Sequence, residues 1–375
     1  MSSRVIGIVG GGIGGLAAGV ALCAAGYRVE IYEQAERFAR VGADVNLTPN
    51  AVRALDGLGI GASLRETAAR PTHRISRMWD TGEETSRLEM SGAAEKHYGS
   101  PQLTMHRADV LSALESALPE GTVRFGKRLA GIDTAGACPV LRFADGSESE
   151  TDVVIGADGI HSAVRTALLG PEHPTFTGVV AYRAVIPASR LSVPDTGVFT
   201  KWWGPDADTQ IVTFPLNRGQ DTFVFATTPQ QDWLHESWTM PGSVDELRAA
   251  YQDFHPEARA LLDACDEVMK SALYVREPLP HWSSGAVTLL GDACHPMMPF
   301  MAQGAGMAIE DAVVLARALD EHDVADIPVA LKRYESARKE RTSRIQASSR
   351  DNTWLKSSTD ADWVYGYDAW TVPLG

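Results

Sequence analysis

The sequence predicts an α/β fold in which a mostly parallel sheet is interrupted by a β-rich insertion. Three observations predict it. A β-branched run, a glycine-rich turn and a small-residue helix open the chain. The same strand–turn–helix texture returns from Ala286. Between about residue 176 and residue 280, short aromatic-bearing runs alternate with the two-residue period of half-buried strands.

Taken in order, residues 4–9 read as a strand, residues 13–25 as a helix and residues 28–32 as a second strand. Such a βαβ unit implies a parallel sheet with right-handed crossovers. Residues 71–99 change character. Arg74, Ser76 and Met78 alternate with Ile75, Arg77 and Trp79, which predicts exposed or partner-facing strands. Residues 107–118 then form an amphipathic helix, and residues 123–125, 140–143 and 153–155 form strands. The insertion carries strands at 179–186, 198–203, 211–214 and 222–226 and a helix at 244–254. Residues 287–290 make a last strand, and 305–319 a long helix. The expected organisation is one discontinuous unit of residues 1–70, 100–175 and 281–350, a second unit of residues 71–99 and 176–280, and an aromatic tail at 351–375 packed on the body.

Composition narrows the function. The net charge of −14 argues against nucleic acid or an anionic membrane surface, both of which reward clustered lysine and arginine. Cys23, Cys138, Cys265 and Cys294 lack the spacing of a zinc site or a disulfide framework. No metal is therefore expected, and a reducing, cytoplasmic setting is. No run approaches the roughly 20 apolar residues that span a bilayer.

Three motifs carry the chemistry. Gly10, Gly12 and Gly15, with Ile13 and Gly14 between them, form a GxGxxG where a strand turns into a helix. Gly10 permits the turn, Gly12 lets a pyrophosphate approach the backbone, and Gly15 lets helix and strand pack closely. The phosphates would then meet the free N–H groups and positive dipole end of the helix. Glu33, at the end of the second strand, is placed to accept hydrogen bonds from ribose hydroxyls. The second motif is Gly156-Ala157-Asp158-Gly159 and the third Gly291-Asp292-Ala293, each following a strand. Either aspartate binds cofactor hydroxyls or caps the next helix. Gln303, Gly304, Ala305 and Gly306 form a glycine-bearing turn that opens a helix. Its N–H groups would face an electron-rich edge of a bound cofactor.

On these residues the chain resembles the group A FAD-dependent aromatic hydroxylases of the para-hydroxybenzoate hydroxylase type, and within them the salicylate and 6-hydroxynicotinate monooxygenases. The resemblance covers nearly the whole chain, including Pro49-Asn50, His106-Arg107 and the tail around Asn352-Thr353-Trp354-Leu355. It implies a Rossmann-like FAD-binding domain of the GR2 type, an inserted β-sheet substrate domain and a C-terminal helical segment. It also implies FAD held by Gly10, Gly12, Gly15, Glu33, Arg40, Arg107 and Asp292, with Asp158 serving both FAD and the nicotinamide. NADH or NADPH would reduce the flavin, O2 would add to form a C4a-hydroperoxide, and a small aromatic substrate would be hydroxylated, with decarboxylation where oxygen enters at the carboxylate-bearing carbon.

The substrate pocket departs from that family. Asn46, Phe214 and Phe300 stand where the hydroxynicotinate-type proteins carry polar His, Tyr and His, so the substrate contacts must differ. Asp44, Asn46 and Thr48 alternate along one strand and can supply polar contacts. Arg183 is a candidate for a carboxylate or phenolate, or for a structural salt bridge. Pro299 and Phe300, with Phe199, Trp202, Trp203, Phe214, Met297 and Met298, either line an apolar slot or belong to ordinary core. His295 reads as a structural donor or an acid–base group. Two rival readings stand beside the hydroxylase: a flavin dehydrogenase or oxidase that inserts no oxygen, and a binding protein that has kept the fold alone. A monomer or a homodimer is expected.

Overall fold

The computed structural model of the chain describes residues 4–38, 44–90, 92–193, 195–233, 240–320, 326–356 and 360–374. Among them, the first sheet runs in the order Ser283–Ser284, Val287–Leu289, Val153–Gly156, Val5–Val9, Arg28–Tyr32, Val123–Arg124. The last five strands are parallel, and Ser283–Ser284 joins as an antiparallel edge. Strand Val5–Val9 is buried almost throughout because helices cover both faces of a parallel sheet. Helix Ile13–Ala24 is built from small and branched residues, and it packs against both the sheet and helix Gly304–Asp320. Gly19 shows why small size is needed, since a Cβ there would stand 2.6 Å from Ile31 Cδ1. The expected strand–turn–helix pattern is thus present at Val5–Val9 with Ile13–Ala24 and again at Val287–Leu289 with Gly304–Asp320.

The second sheet has the order Met240–Gly242, Val268–Val275, Thr175–Pro187, Asp221–Pro229, Gln210–Leu216, Phe199–Trp203, His73–Met78, Glu84–Glu89. It is antiparallel except where Phe199–Trp203 lies parallel to His73–Met78. One face buries Tyr182, Ile186, Trp202 and Val224 under helices Val244–Ala250 and Pro256–Asp263. The other face buries Phe199, Phe214, Phe223 and Phe225 with Met298 and Phe300, which come from the loop before Gly304.

Two expectations change here. The strand His73–Met78 is not exposed: Arg74, Ile75 and Ser76 are all buried, because the strand enters the large sheet and leaves Glu84–Glu89 as its exposed edge. The helix expected at 244–254 ends at Ala250, and a second helix that was not expected begins at Pro256, where proline suits the first turn and His255 accepts from the Glu257 N–H.

A short antiparallel pair, Val45–Leu47 with Leu103–Met105, lies between the two large sheets and carries Asn46. Helix Ile327–Asp351 crosses beneath, and the tail packs Trp354, Val364 and Tyr365 against Ile345, Met301 and Met307. No described helix is long and apolar enough to cross a membrane.

Candidate active site

A cleft of about 530 Å³ opens at the carboxyl ends of the parallel strands. Such a position is where open α/β sheets bind their ligands. Gly10, Gly12, Ile13, Gly14, Glu33, Arg107, Asp158, Asp292, Gly304 and Ala305 all line it, so residues spread over nearly the whole chain meet in one place.

The glycines serve different ends. Gly10 has a φ of +104°, and a side chain there would collide with the Ala157 carbonyl. At Gly15 it would collide with the Gly10 carbonyl oxygen, and at Gly14 with Leu290 Cδ2 at 2.7 Å. Packing therefore accounts for those three. Gly12 and Gly304 are different. Added carbons there would meet nothing nearer than Arg107 Nη2 at 3.8 Å and Asp292 Oδ1 at 3.9 Å. Their missing side chains leave open space in the cleft, where a ligand can touch the main chain. Helix Ile13–Ala24 has no side-chain cap and no acidic residue in its first turn, so its N–H groups and dipole end face the cleft unneutralised. A phosphate-bearing dinucleotide fits these features.

The carboxylates are held in place from the backbone. Glu33 accepts from the Gly11 and Ala35 N–H groups, both at 2.8 Å. Asp158 accepts from Ser162 Oγ and from the N–H groups of Ala163 (2.7 Å) and Val164 (3.1 Å). It therefore caps helix Ala163–Leu169 while lining the cleft. Asp292 opens to the cleft yet has protein on every other side, and that desolvation raises its carboxyl against the pull of His295 and Arg107. Tyr32, Gln34, Lys127, Arg128, Leu129 and His161 also line the cleft. The Lys127-Arg128 pair ahead of strand Leu129–Asp133 is the signal the sequence reading passed over.

Other expected residues lie elsewhere. Gly15 packs below the turn, and Gly306 stands near Ala51 and Gln303. Gln303 is buried: its Nε2 donates to Thr48 Oγ1 (2.9 Å) and its Oε1 accepts from Asn50 (3.1 Å). Arg40 lies outside the described residues. His295 donates to Asp311 at 2.6 Å and is sealed in the core. Cys294, His295 and Asp311 bring ligand atoms within 4.8 Å of one another. Arg338 Nε, however, takes the second Asp311 oxygen at 2.7 Å, which makes the group a charge network. Burial works to raise Asp311, but His295 and Arg338 hold it below the usual range.

On the side of the large sheet, Phe214 stacks on Phe199 with centroids 5.2 Å apart and packs on Phe223 at 5.1 Å. Phe300 sits in the short turn Pro299–Met301 and joins the same cluster; Pro299 itself is exposed. Trp202 does not belong here. Strand alternation turns it to the opposite face, onto His255. Asn46 is buried and accepts from Gln102 Nε2 at 2.8 Å, and its own Nδ2 has no partner among the described residues. Arg183 donates to Ser271 Oγ and lies over the Phe225 ring. Asp44 faces it. Burial pushes the Asp44 carboxyl up to about 6, although Arg183 and Arg107 both pull it down.

Comparison with known proteins accords with this geometry. A family model described as an FAD binding domain matches residues 2–349. The 6-hydroxynicotinate 3-monooxygenase of Bordetella bronchiseptica is 42% identical over 372 residues, covering 98% of this chain and 96% of that protein. A 3-amino-4-hydroxybenzoate 2-monooxygenase of Streptomyces platensis is 37% identical, covering 99% and 97%. The chain belongs to the FAD-dependent aromatic hydroxylases. A salicylate hydroxylase solved as a substrate complex shares the fold with a TM-score of 0.86 at 28% identity, covering 98% of this chain and 96% of that one. The enzyme is thus an FAD-dependent aromatic monooxygenase, with NAD(P)H as reductant and O2 as co-substrate. FAD supplies the oxygen-activating chemistry, and Gly12, Glu33, Arg107, Asp292 and Gly304 are the cleft residues that would hold it.

Proposed function

We propose that the enzyme hydroxylates a small phenolic or N-heteroaromatic acid, held between the 304–306 turn and the aromatic face of the eight-stranded sheet. The observation that carries this reading is the continuous cluster of Phe199, Phe214, Phe223 and Phe225 closed by Met298 and Phe300, whose loop leads directly into the helix that opens at Gly304. A planar ring between these side chains is shielded from water. The relatives named for 6-hydroxynicotinate and 3-amino-4-hydroxybenzoate act on rings of this class.

Asp44 is the group we assign to the phenolic proton. Thr48 is taken up by Asn50 and Gln303, and the Asn46 oxygen by Gln102. A carboxylate raised to about 6 is matched to accepting a proton near neutrality. On the same reading, residues 1–70, 100–175 and 281–350 form the FAD-binding domain and residues 71–99 and 176–280 the substrate domain. Four unbridged cysteines support a cytoplasmic enzyme, and we take it to act as a monomer or homodimer.

The test is NAD(P)H consumption with hydroxybenzoates, aminobenzoates and hydroxypyridines under labelled O2, with product mass recorded. One labelled oxygen in the product of an aromatic acid is the expected result. Oxidised product without label would replace the hydroxylase by a dehydrogenase or oxidase.

A further inference from the structure

Arg74, Lys201 and Arg183 share the face of the eight-stranded sheet that carries Phe199, Phe214 and Phe225. Residues directly opposite one another on paired strands project to the same side. Lys201 pairs with Val212, Val212 with Phe225, and Phe225 with Arg183. They form one row, with a cation at each end and apolar side chains between. At a strand spacing of ~4.8 Å, the two ends are about 14 Å apart at the backbone. Arg74 pairs with Phe199 in the next row.

The two ends are not equivalent. Arg183 already has Ser271 Oγ and faces Asp44. Lys201 is 1% exposed, and among the described residues its ammonium meets neutral groups: Asn352 Oδ1 at 2.7 Å, the Trp203 ring at 3.6 Å and the Phe300 ring at 5.7 Å. Burial and, after it, the like charges of Arg74 and Lys356 hold Lys201 well below the ordinary lysine range. Arg74 is 3% exposed. It lies over Phe199 at 4.8 Å, and its Nε and Nη1 have no hydrogen-bond partner among the described residues. Nε1 of Trp203 and Nε2 of Gln210, which pair across the neighbouring row, are donors without acceptors as well. A buried cation beside several unmet donors destabilises a fold, and such a cluster is complete only when an anion enters it.

We propose that Lys201, supported by Arg74, holds the carboxylate of the aromatic substrate. The proposal rests on the hydroxylase reading above and deepens it. With the carboxylate at Lys201, the ring lies along Val212 and Phe225, and a hydroxyl across the ring points to the Arg183–Asp44 end, where its proton leaves. The Phe300 ring is the side chain that must move to admit it. Substrate recognition then falls to residues other than Arg183, whose charge Asp44 already faces.

The test uses the FAD-loaded enzyme and matched pairs of probes: 6-hydroxynicotinate with 6-hydroxynicotinamide, 3-hydroxybenzoate with 3-hydroxybenzamide, and salicylate with salicylamide. Binding is read from the change in flavin absorbance, and melting temperature is recorded beside it. The wild type should prefer each acid that it binds over its amide. Lys201→Met should weaken acid binding about 100-fold, the size of a lost charged hydrogen bond, and leave amide binding within about threefold. Its melting temperature should rise, because a buried unpaired cation is gone. Lys201→Gln, which can keep the bond to Asn352 without the charge, should lose the preference too, while Arg183→Met should retain it. A Lys201→Met or Lys201→Gln enzyme that still prefers acids overturns the proposal, as does a preference lost only in Arg183→Met. A wild type that hydroxylates phenols but binds acids no better than amides overturns the anion site and leaves the hydroxylase reading standing. Absence of any hydroxylated product removes that reading itself.

Discussion

Gly12 and Gly15 stand in the same turn, but their missing side chains would meet different surroundings. A methyl at Gly15 collides with the Gly10 carbonyl oxygen, whereas at Gly12 it enters the open cleft 3.8 Å from Arg107 Nη2. Gly15→Ala should therefore destabilise the protein by about 1–3 kcal/mol with or without FAD. Gly12→Val should leave the melting point of the apoprotein nearly unchanged and raise the FAD dissociation constant at least about 10-fold. Fluorescence titration with FAD, run beside apoprotein melting, separates the two. Equal losses of stability in both variants would remove the distinction. Asp44 makes a second residue-scale prediction. Its folded-state pKa, raised to about 6, lies above the ordinary aspartate value. The folded state therefore favours the protonated form, and stability falls as pH rises through 6. Asp44→Asn should melt higher than the wild type at pH 7–8, an advantage that disappears below about pH 4, where the carboxyl is protonated in both folded and unfolded chains. Where Asp44 takes the phenolic proton, kcat/KM of the wild type should also fall below about pH 6, and the asparagine variant should lose that limb of the profile.

At the scale of elements, a buried charge network joins the pieces that frame the cleft. Arg338 on helix Ile327–Asp351 pairs with Glu310 and Asp311 of helix Gly304–Asp320, each at 2.7 Å. Glu310 also takes Arg341 at 2.9 Å and Asn50 Nδ2 at 2.7 Å, and Asn50 leads through Gln303 to Thr48. Glu310 and Asp311 are fully buried. Glu310→Gln leaves two arginines short of a counter-charge and should cost about 3–5 kcal/mol in denaturant unfolding. A Glu310→Met, Arg338→Met pair should cost less than the sum of the two single changes, because these two partners leave together, even though Asp311 then keeps only His295 and Arg341 loses its carboxylate. Additive losses in the double variant would count against a coupled network. This network also shows where sequence reading reaches its limit. The glycine turn, Glu33 and the two aspartate motifs were legible because each is a local pattern with a local cause. Lys127 and Arg128 were not, because a strand of a separate three-stranded sheet delivers them to the cleft. Gln303 read as a cofactor contact because its neighbours are glycines; only the packing of Thr48 and Asn50, more than 250 residues earlier, shows where its amide is engaged. Lys201 lay in a strand that was expected, but its alternation with Trp202 left open which face is buried against what.

For the whole molecule, the tail touches both the large sheet and the helices beside the cleft. Residues 352–356 reach the large sheet: Asn352 receives Lys201, the Leu355 carbonyl accepts from Ser76 Oγ at 2.7 Å, and the Lys356 carbonyl accepts from Thr85 at 3.0 Å. Residues 363–372 reach the FAD side. Arg341 donates to the Trp363 and Val364 carbonyls, Arg317 to those of Ala369 and Val372, and Trp370 Nε1 to the Ala54 carbonyl at 3.3 Å. Arginines thus fasten the tail's main chain to the helices that open at Gly304 and Ile327, while Trp354, Val364 and Tyr365 cover Met301, Met307 and Ile345. Removing residues 351–375 should expose that apolar cluster, take carbonyl acceptors from Arg317 and Arg341, and lower the melting point of the holoenzyme. It should also weaken FAD binding, although no described tail residue lines the cleft, because helix Gly304–Asp320 loses the contacts that fix its position. Trp370→Ala, which removes one anchor on the FAD side and none on the large sheet, should give a smaller shift in the same direction. A truncated enzyme that melts and binds FAD like the full chain would mean that the two sheets dock through their own contacts, with the tail a passive cover.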